Sequence, residues 1–207
     1  QKMVRSDLAV SGVMFTLDTE SGFDQVIFIT SSYGLGECVV QGSVNPDEFY
    51  VHKPTMKQGY KPLLKKRLGS KEQKMVYTTG SGARGIHSTE TIETTNAERS
   101  QYSLTDDEIF ELSRMALLVE EHYSKIKGSS CPMDIEWAKC GKNGQLYIVQ
   151  ARPETVQSNR KQCNVLETYT MNSSNATVLV TGKSIGGKIA SGNARVCKTL
   201  QDMKKLK

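Results

Sequence analysis

The sequence predicts an α+β fold, in which short β-strands form a sheet and one long helix contributes an apolar stripe to the core. Two observations lead to this prediction. Runs rich in β-branched and aromatic residues recur between glycine-containing turns. One long segment, residues 105–127, instead repeats apolar side chains at helical spacing. A chain of 207 residues is also long enough to bury a sizeable core in one or two domains.

Four stretches have the composition of strands. Two of them, SGVMFTLD and QVIFIT, are joined by a polar turn that contains Gly22, and the other two are residues 49–51 and 74–79. Between them, the sequence GLGE has two interpretations. Its glycines permit a tight turn, or they bring backbone N–H groups and Glu37 close to a ligand. Residues 80–100 are polar and rich in Gly and Thr, so we predict a loop with ragged strand pieces there.

Residues 105–127 form the clearest predicted helix. Thr105 and Glu108 match a capping box at its start, and Gly128 ends it. The apolar stripe comprises Ile109, Leu112, Ala116, Val119, Tyr123 and Ile126. We assign this stripe to the core and give it no chemical role.

The segment PMDIEWAKCGKNGQLYIVQARPE, residues 132–154, predicts a β-hairpin with one apolar face. Side chains of a strand alternate between faces, so Asp134 and Glu136 share the face opposite to Ile135 and Trp137. The turn GKNG contains Asn and Gly, which tolerate positive φ. In the return strand, the same alternation predicts Ile148, Gln150 and Arg152 on one face and Tyr147, Val149 and Ala151 on the other.

The register of this hairpin decides whether its polar residues meet. If Cys140 pairs with Leu146, Glu136 falls opposite Gln150 and the other acid falls opposite Arg152. The patch is then either a cross-strand ion pair and hydrogen bond on a solvated face, or a ligand site. In a ligand site, carboxylate and amide oxygens suit Mg²⁺, and the arginine fork suits phosphate oxygens.

Composition excludes several classes of function. The net charge of +5 is mild, and the basic segments 61–74 and 198–207 are predicted to be a solvated loop and tail. Neither shows interleaved aromatics, so we predict no nucleic-acid partner. No apolar run approaches the length of a membrane span and the start shows no signal-peptide pattern, so we predict a cytoplasmic protein without membrane attachment.

The cysteines and histidines show no metal-ligand spacing. The five cysteines are an odd number without a CxxC pair, which predicts reduced cytoplasmic thiols and not a disulfide framework or a zinc site. The histidines, His52, His87 and His122, lie far apart in the sequence.

The character of the chain changes after the hairpin. Residues 156–175 are mostly polar without a strong period, which is typical of a linker with some extended structure. Residues 176–207 then begin with a β-rich run, continue through a glycine-rich turn, and reach a second β-rich run at 194–197. The turn lacks the order of a Walker A loop, so a plain β-connection is predicted.

Several separated motifs, in the correct order, resemble one enzyme family. The stretches MVRSDLAVSGVMFTLDTESGF, YGLGECVVQGSVNPDEFYVHKP and MDIEWAKCGKNGQLYIVQARPETVQS resemble phosphoenolpyruvate synthases (pyruvate, water dikinases), which are PEP-utilising enzymes. The resemblance covers most of residues 1–158 and resumes at about 176–197.

The resemblance implies a domain organisation. Residues 1–155 would be the C-terminal part of an ATP-grasp nucleotide-binding domain, followed by the linker at 156–175. Residues 176–207 would be the incomplete start of a swivelling β/α phosphohistidine domain.

The resemblance also assigns the hairpin patch. In such enzymes an acidic strand and its partner carry the Mg²⁺ ions that bridge the nucleotide phosphates. Matched residue by residue, Glu136 and Gln150 become the expected metal ligands, and Asp134 supports them or contacts a metal through water. Arg152 would hold a phosphate oxygen, which gives it a catalytic and a nucleotide-binding role.

Three further residues match positions that contact ATP in the family. Gln1 matches a glutamine that contacts the nucleotide, and Thr16 and Glu37 fall at positions that line the nucleotide site. Glu37 would accept hydrogen bonds from ribose hydroxyls. The implied cofactors are therefore ATP and Mg²⁺.

The implied reaction converts ATP, pyruvate and water to AMP, phosphoenolpyruvate and phosphate, a step of gluconeogenesis. A histidine on the swivelling domain carries the phosphoryl group, and pyruvate binds another part of the enzyme. None of the three histidines here matches that motif, so we expect residues 1–207 alone to be inactive in the full reaction. Association of identical chains stays open.

The alternative functions are those of a related dikinase such as pyruvate phosphate dikinase, of an antibiotic phosphotransferase of the same family, and of a non-catalytic nucleotide-binding module.

Overall fold

The structure, a computed structural model, describes residues 2–78, 89–156, 169–171, 177–180 and 189–197. The chain divides into two compact units, Gln1–Arg160 and Lys161–Lys207. The helices and strands of the described residues all belong to the first unit. The boundaries of the linker and of a phosphohistidine domain stay predictions.

The described residues of the first unit form eight strands and four α-helices, and a 3₁₀ turn at Ser6–Leu8 comes before the first strand. The strands are β1 (Val10–Phe15), β2 (Val26–Tyr33), β3 (Asp47–His52), β4 (Leu63–Arg67), β5 (Gln73–Tyr77), β6 (Thr89–Glu93), β7 (Met133–Lys139) and β8 (Leu146–Pro153). The helices are α1 (Glu37–Val40), α2 (Lys53–Lys57), α3 (Asn96–Ser100) and α4 (Asp106–Lys127).

The main sheet has six strands in the order β4-β3-β2-β1-β7-β8, and β5 and β6 form a separate two-stranded sheet. Every neighbouring pair is antiparallel. This arrangement confirms the predicted α+β class. The β7–β8 hairpin lies at one edge of the main sheet, where β7 pairs with β1. Of the predicted metal ligands, Glu136 on β7 therefore lies beside β1, and Gln150 lies on the edge strand β8.

Helix α4 confirms the predicted capping box and termination. The Thr105 hydroxyl accepts a hydrogen bond from the Glu108 backbone N–H, and the Glu108 carboxylate accepts one from the Thr105 N–H. Gly128 ends the helix at φ 73°. The stripe packs into the core as far as Tyr123. Ile126 was predicted as core and is 72% exposed, because the core contacts of the helix end before its last turn.

The basic segment predicted as a solvated loop contains a strand, and the segment predicted as a loop with ragged strand pieces contains a strand and a short helix. Within 61–74, β4 pairs with β3, and its Lys66 forms an ion pair with Asp106 at the start of α4. Within the described part of 80–100, the fully exposed β6 pairs with β5, and α3 follows. The reason is the same in both cases: an exposed strand has no apolar alternation, and its pairing partner is not visible in the local sequence. Residues 79–88 lie outside the described residues.

In the second unit, residues 177–180 and 194–197 are described without helix or strand. The β-rich runs predicted there are therefore not strands in this structure. A β-rich segment becomes a strand only by pairing with a neighbour. The glycine-rich turn between them falls on residues 181–188, outside the described residues. Across the described parts of both units, no helix combines the length and apolar character that crossing a membrane requires.

Gly12 in β1 marks a close approach between strands, and its replacement tests the packing of the sheet. An ideal Cβ at this position would lie 1.9 Å from the Thr30 carbonyl oxygen and 3.0 Å from a Trp137 ring atom. Gly12→Ala should therefore lower the free energy of unfolding by about 2 kcal/mol, measured by thermal denaturation.

The control for this prediction is Gly36→Ala. There a Cβ would meet its nearest neighbour, Ser11 Oγ, at 3.6 Å, and the backbone has φ −65°. The free energy of unfolding of this variant should stay within about 1 kcal/mol of the wild-type value, because alanine adopts this backbone conformation without strain. Equal melting temperatures for Gly12→Ala and the wild type would contradict the described packing.

Candidate functional site

A cavity of about 520 Å³ lies where β1, β7 and β8 meet α1 and the N-terminal segment. It is lined by Lys2, Met3, Val4, Ser6, Ser11, Gly12, Gly36, Glu37, Val40, Gln41, Glu136, Trp137, Ala138 and Val149. Two residues that the family resemblance assigns to the site, Glu37 and Glu136, therefore line one cavity. The walls combine small and apolar side chains with a few polar groups, as ligand pockets usually do.

The predicted hairpin pairs its polar residues as expected. Glu136 lies opposite Gln150, and Asp134 lies opposite Arg152. Residues paired in this way project to the same face of the sheet. The structure thus brings two carboxylates, an amide and a guanidinium together on one face of β7 and β8.

The pairing near the hairpin turn differs from the prediction. Leu146 pairs with Lys139 and not with Cys140, and a β-bulge lies between the Glu136 and Trp137 pairs. Val149 is the extra residue of the bulge, which shifts the pairing by one position and restores the predicted partner of Glu136. A bulge inserts one residue on one strand and re-aims the side chains beside it.

Because of the bulge, the side chains of β8 do not alternate between the two faces of the sheet as predicted. Ile148 pairs with Trp137 and packs against the core, so the prediction that it shares a face with Gln150 is wrong. The extra residue, Val149, lines the cavity instead. Strict alternation could not reveal this, because the sequence carries no glycine or proline at the bulge.

The arginine of the patch is held by its paired acid. Arg152 donates from Nε to Asp134 Oδ2 at 2.8 Å, and its Nη2 lies 2.7 Å from the same oxygen. This hydrogen bond raises the pKa of the Arg152 guanidinium. The Arg152 side chain is 66% exposed and that of Asp134 is 14% exposed. The acid therefore fixes one side of the guanidinium, and Nη1 forms no hydrogen bond with the described part of the chain.

The donor set of the patch suits a hard cation. The Glu136 carboxylate and the Gln150 amide face each other across β7 and β8, and oxygen ligands of these two types are what Mg²⁺ binds. In the described part of the chain, no group of three or more His, Cys, Asp or Glu residues is arranged to hold a metal. A cation here would therefore need ligand atoms from outside these side chains, such as phosphate oxygens or water.

Helix α1 contributes a second carboxylate to the lining of the cavity. Gly36 precedes the helix, and Glu37, Val40 and Gln41 all line the cavity. Gln41 donates from Nε2 to Glu37 Oε1 at 2.7 Å. The GLGE segment therefore both turns the chain and exposes Glu37 at the cavity, which favours the second of its two interpretations.

The N-terminal segment forms a further wall of the cavity through Lys2, Met3 and Val4, whereas sequence reasoning had assigned only Gln1 of this segment to the site. Lys2 donates to the Tyr147 hydroxyl at 2.8 Å, which lowers the pKa of Tyr147 and raises that of Lys2. The Gly141 N–H donates to the Arg5 carbonyl at 3.0 Å. These contacts tie the segment to the hairpin turn. They join residues more than a hundred positions apart, and no local pattern signals them.

The remaining predicted site residues lie apart from the cavity or outside the description. Thr16 is fully buried, and its hydroxyl accepts a hydrogen bond from the Met133 N–H at 2.8 Å. It does not line the cavity, and it anchors the start of β7. Gln1 lies outside the described residues. By contrast, the indole N–H of Trp137 is buried and has no hydrogen-bond partner in the described structure.

Comparison with known proteins gives matches to one group of related enzymes. The family model described as "Pyruvate phosphate dikinase, AMP/ATP-binding domain" matches residues 1–173. A phosphoenolpyruvate synthase from Synechocystis sp. is 54% identical over 98% of this chain. Phosphoenolpyruvate synthases from Pseudomonas aeruginosa and Escherichia coli are 50% and 47% identical, each over 100% of the chain. The chain spans only 24% to 25% of the length of these relatives.

Proposed function

Because the chain belongs to the family of pyruvate phosphate dikinase AMP/ATP-binding domains, we propose that it is the ATP- and Mg²⁺-binding part of a phosphoenolpyruvate synthase. The observation that carries this proposal is the pairing of Glu136 with Gln150, beside Arg152, at the edge of the cavity that Glu37 also lines. The high identity to phosphoenolpyruvate synthases supports the choice of reaction. The ATP-grasp architecture and the swivelling domain belong to the same proposal.

The cavity would hold the nucleoside part of ATP. Val4, Val40 and Val149 supply apolar surface for a planar base. Glu37, which is acceptor-only when ionised, would accept hydrogen bonds from the ribose hydroxyls. The phosphates would then extend toward Glu136 and the open face of the hairpin.

The hairpin patch would hold the metal and the phosphates. Glu136 and Gln150 would supply ligand oxygens, and Asp134 would add charge beside them. When bound, Mg²⁺ neutralises charge on the phosphate oxygens and orients them. Thr16 would act indirectly, because its hydrogen bond to the Met133 N–H fixes the start of β7.

Arg152 would contact a phosphate oxygen during transfer. Asp134 holds its guanidinium in place through Nε and Nη2, so a donor is pre-oriented before ATP arrives. Preorganised donors of this kind stabilise charge that develops in a transition state. The Asp134–Arg152 ion pair is thus compatible with a positioning role and need not be only a surface contact.

The complete reaction would extend beyond this chain. We propose that a histidine elsewhere in the longer protein receives the β- and γ-phosphoryl groups of ATP together, which releases AMP. Water then removes the outer group as phosphate, and the remaining phosphoryl group passes to pyruvate and forms phosphoenolpyruvate. A cytoplasmic location and association of identical chains belong to the same proposal. Gln1 is proposed as a further nucleotide contact.

The assay that tests this proposal uses a protein of the relatives' full length that carries this chain, called the full-length protein below. With ATP, Mg²⁺ and pyruvate it should release AMP, phosphoenolpyruvate and phosphate, and EDTA should stop the reaction. Because the matching family model is named for pyruvate phosphate dikinase, inorganic phosphate is added in a parallel reaction. Release of pyrophosphate only when phosphate is present would favour that dikinase. Formation of ADP without AMP would contradict both.

A further inference from the structure

We propose that Gln41 is a positioning residue, which orients the Glu37 carboxylate toward the ribose hydroxyls and so gives the site a preference for ribonucleotides. The inference rests on the proposed function, because it needs the nucleoside to occupy the cavity beside α1. It adds a role for Gln41 and a preference for ribonucleotides over deoxyribonucleotides.

The geometry links the two side chains directly. They are four residues apart, a spacing at which side chains meet on a helical turn, and Gln41 Nε2 lies 2.7 Å from Glu37 Oε1. An ionised carboxylate only accepts hydrogen bonds, so the amide nitrogen must be the donor. Both residues line the cavity and are exposed. The bond therefore holds a carboxylate at the cavity wall that would otherwise change rotamer freely.

The remaining atoms suit a ribose. With one lone pair of Oε1 engaged, the Glu37 carboxylate keeps its other lone pairs, and each accepts from a hydroxyl. The carbonyl oxygen of the Gln41 amide is a further acceptor. Vicinal ribose hydroxyls supply two donors close together, which a fixed carboxylate can meet at a lower entropic cost than a mobile one.

A merely structural role for Gln41 makes a different prediction. If the bond only stabilised the single turn of α1, its loss would weaken the binding of every nucleotide that uses the cavity to the same extent. Positioning of a ribose contact instead weakens only nucleotides that carry the hydroxyl. The ratio of affinities for ATP and its deoxy analogues therefore separates the two roles.

The experiment measures binding of ATP, 2′-deoxyATP and 3′-deoxyATP to the full-length protein with Mg²⁺ by calorimetry. Gln41→Leu should weaken ATP binding about tenfold, the value of one hydrogen bond to a charged group. The affinity for at least one deoxy analogue should change less than about twofold. The control, Gln58→Leu, replaces an exposed glutamine that follows α2 outside the cavity, and it should bind all three nucleotides as the wild type does.

A double-mutant cycle with Glu37→Gln shows whether Gln41 acts through Glu37. In that background, Gln41→Leu should cause no further loss of ATP affinity. Equal losses for all three nucleotides, additive losses in the cycle, or unchanged binding by Gln41→Leu would each overturn the inference while leaving the proposed function intact. Failure of the wild-type protein to bind ATP would instead overturn the proposed function itself.

Discussion

Glu136→Ala in the full-length protein is expected to reduce Mg²⁺-dependent ATP cleavage at least about a hundredfold. The variant removes the carboxylate that faces Gln150 across the hairpin and lines the cavity. Without it, the proposed metal site keeps one amide oxygen and the Asp134 carboxylate, which already bonds Arg152. The measurement is the rate of AMP formation at saturating ATP and Mg²⁺.

The fold should survive this change. Glu136 is half-buried on the face of β7 opposite to the core residues Ile135 and Trp137, so alanine opens no cavity in the core. Its melting temperature should stay close to that of the wild type. The control is Glu111→Ala, which removes an exposed carboxylate from α4 and should leave AMP formation unchanged. Turnover by Glu136→Ala at the wild-type rate would remove Glu136 from the site.

Arg152→Lys is expected to slow the ATP half-reaction strongly while leaving the protein folded. Lysine keeps the positive charge but loses the planar fork, so it cannot hold Asp134 and a phosphate oxygen in the same way. The rate should fall about tenfold for each 1.4 kcal/mol of transition-state stabilisation that is lost. The measurement is ATP-dependent phosphorylation of the histidine in the full-length protein.

A purely structural role for Arg152 predicts a different result. If Arg152 only formed an exposed ion pair with Asp134, its replacement would barely change the stability and would not change the activity. The control is Arg67→Lys, because Arg67 is an exposed arginine 3.7 Å from Glu48 on the far edge strand of the same sheet, and it should leave the rate unchanged. Phosphoryl exchange between the histidine and pyruvate should survive in Arg152→Lys. Loss of both half-reactions together would indicate damaged folding and would defeat the assignment.

The sequence predicted those parts of the fold in which local chemistry is sufficient. Helix α4 carries its own capping box and stop signal, and the β7–β8 hairpin carries a turn sequence and an apolar face. The elements that were missed depend on distant partners. Strand β4 is basic and exposed, and it becomes a strand by pairing with β3. The exposed strand β6 also depends on its partner, β5, and the sequence therefore predicted only ragged strand pieces there.

The same distinction applies to the site. The partners of Glu136 and Asp134 follow from two adjacent strands, so the sequence could predict them. The bulge at Val149 could not be predicted, because the packing of Ile148 against the core decides it and no special residue marks it. The contact between Lys2 and Tyr147 joins the two ends of the first unit. The bond from Gln41 to Glu37 is local, and their spacing of four residues on one turn could have indicated it.

The cavity and the hairpin patch are proposed to form one ATP–Mg²⁺ site. A crystal structure of the full-length protein with Mg²⁺ and a non-hydrolysable ATP analogue tests this proposal most directly. We expect the ribose beside Glu37, and a metal ion at about 2.1 Å from oxygens of Glu136 and Gln150. A nucleotide bound outside this cavity, or a metal held without either of those two residues, would contradict the account.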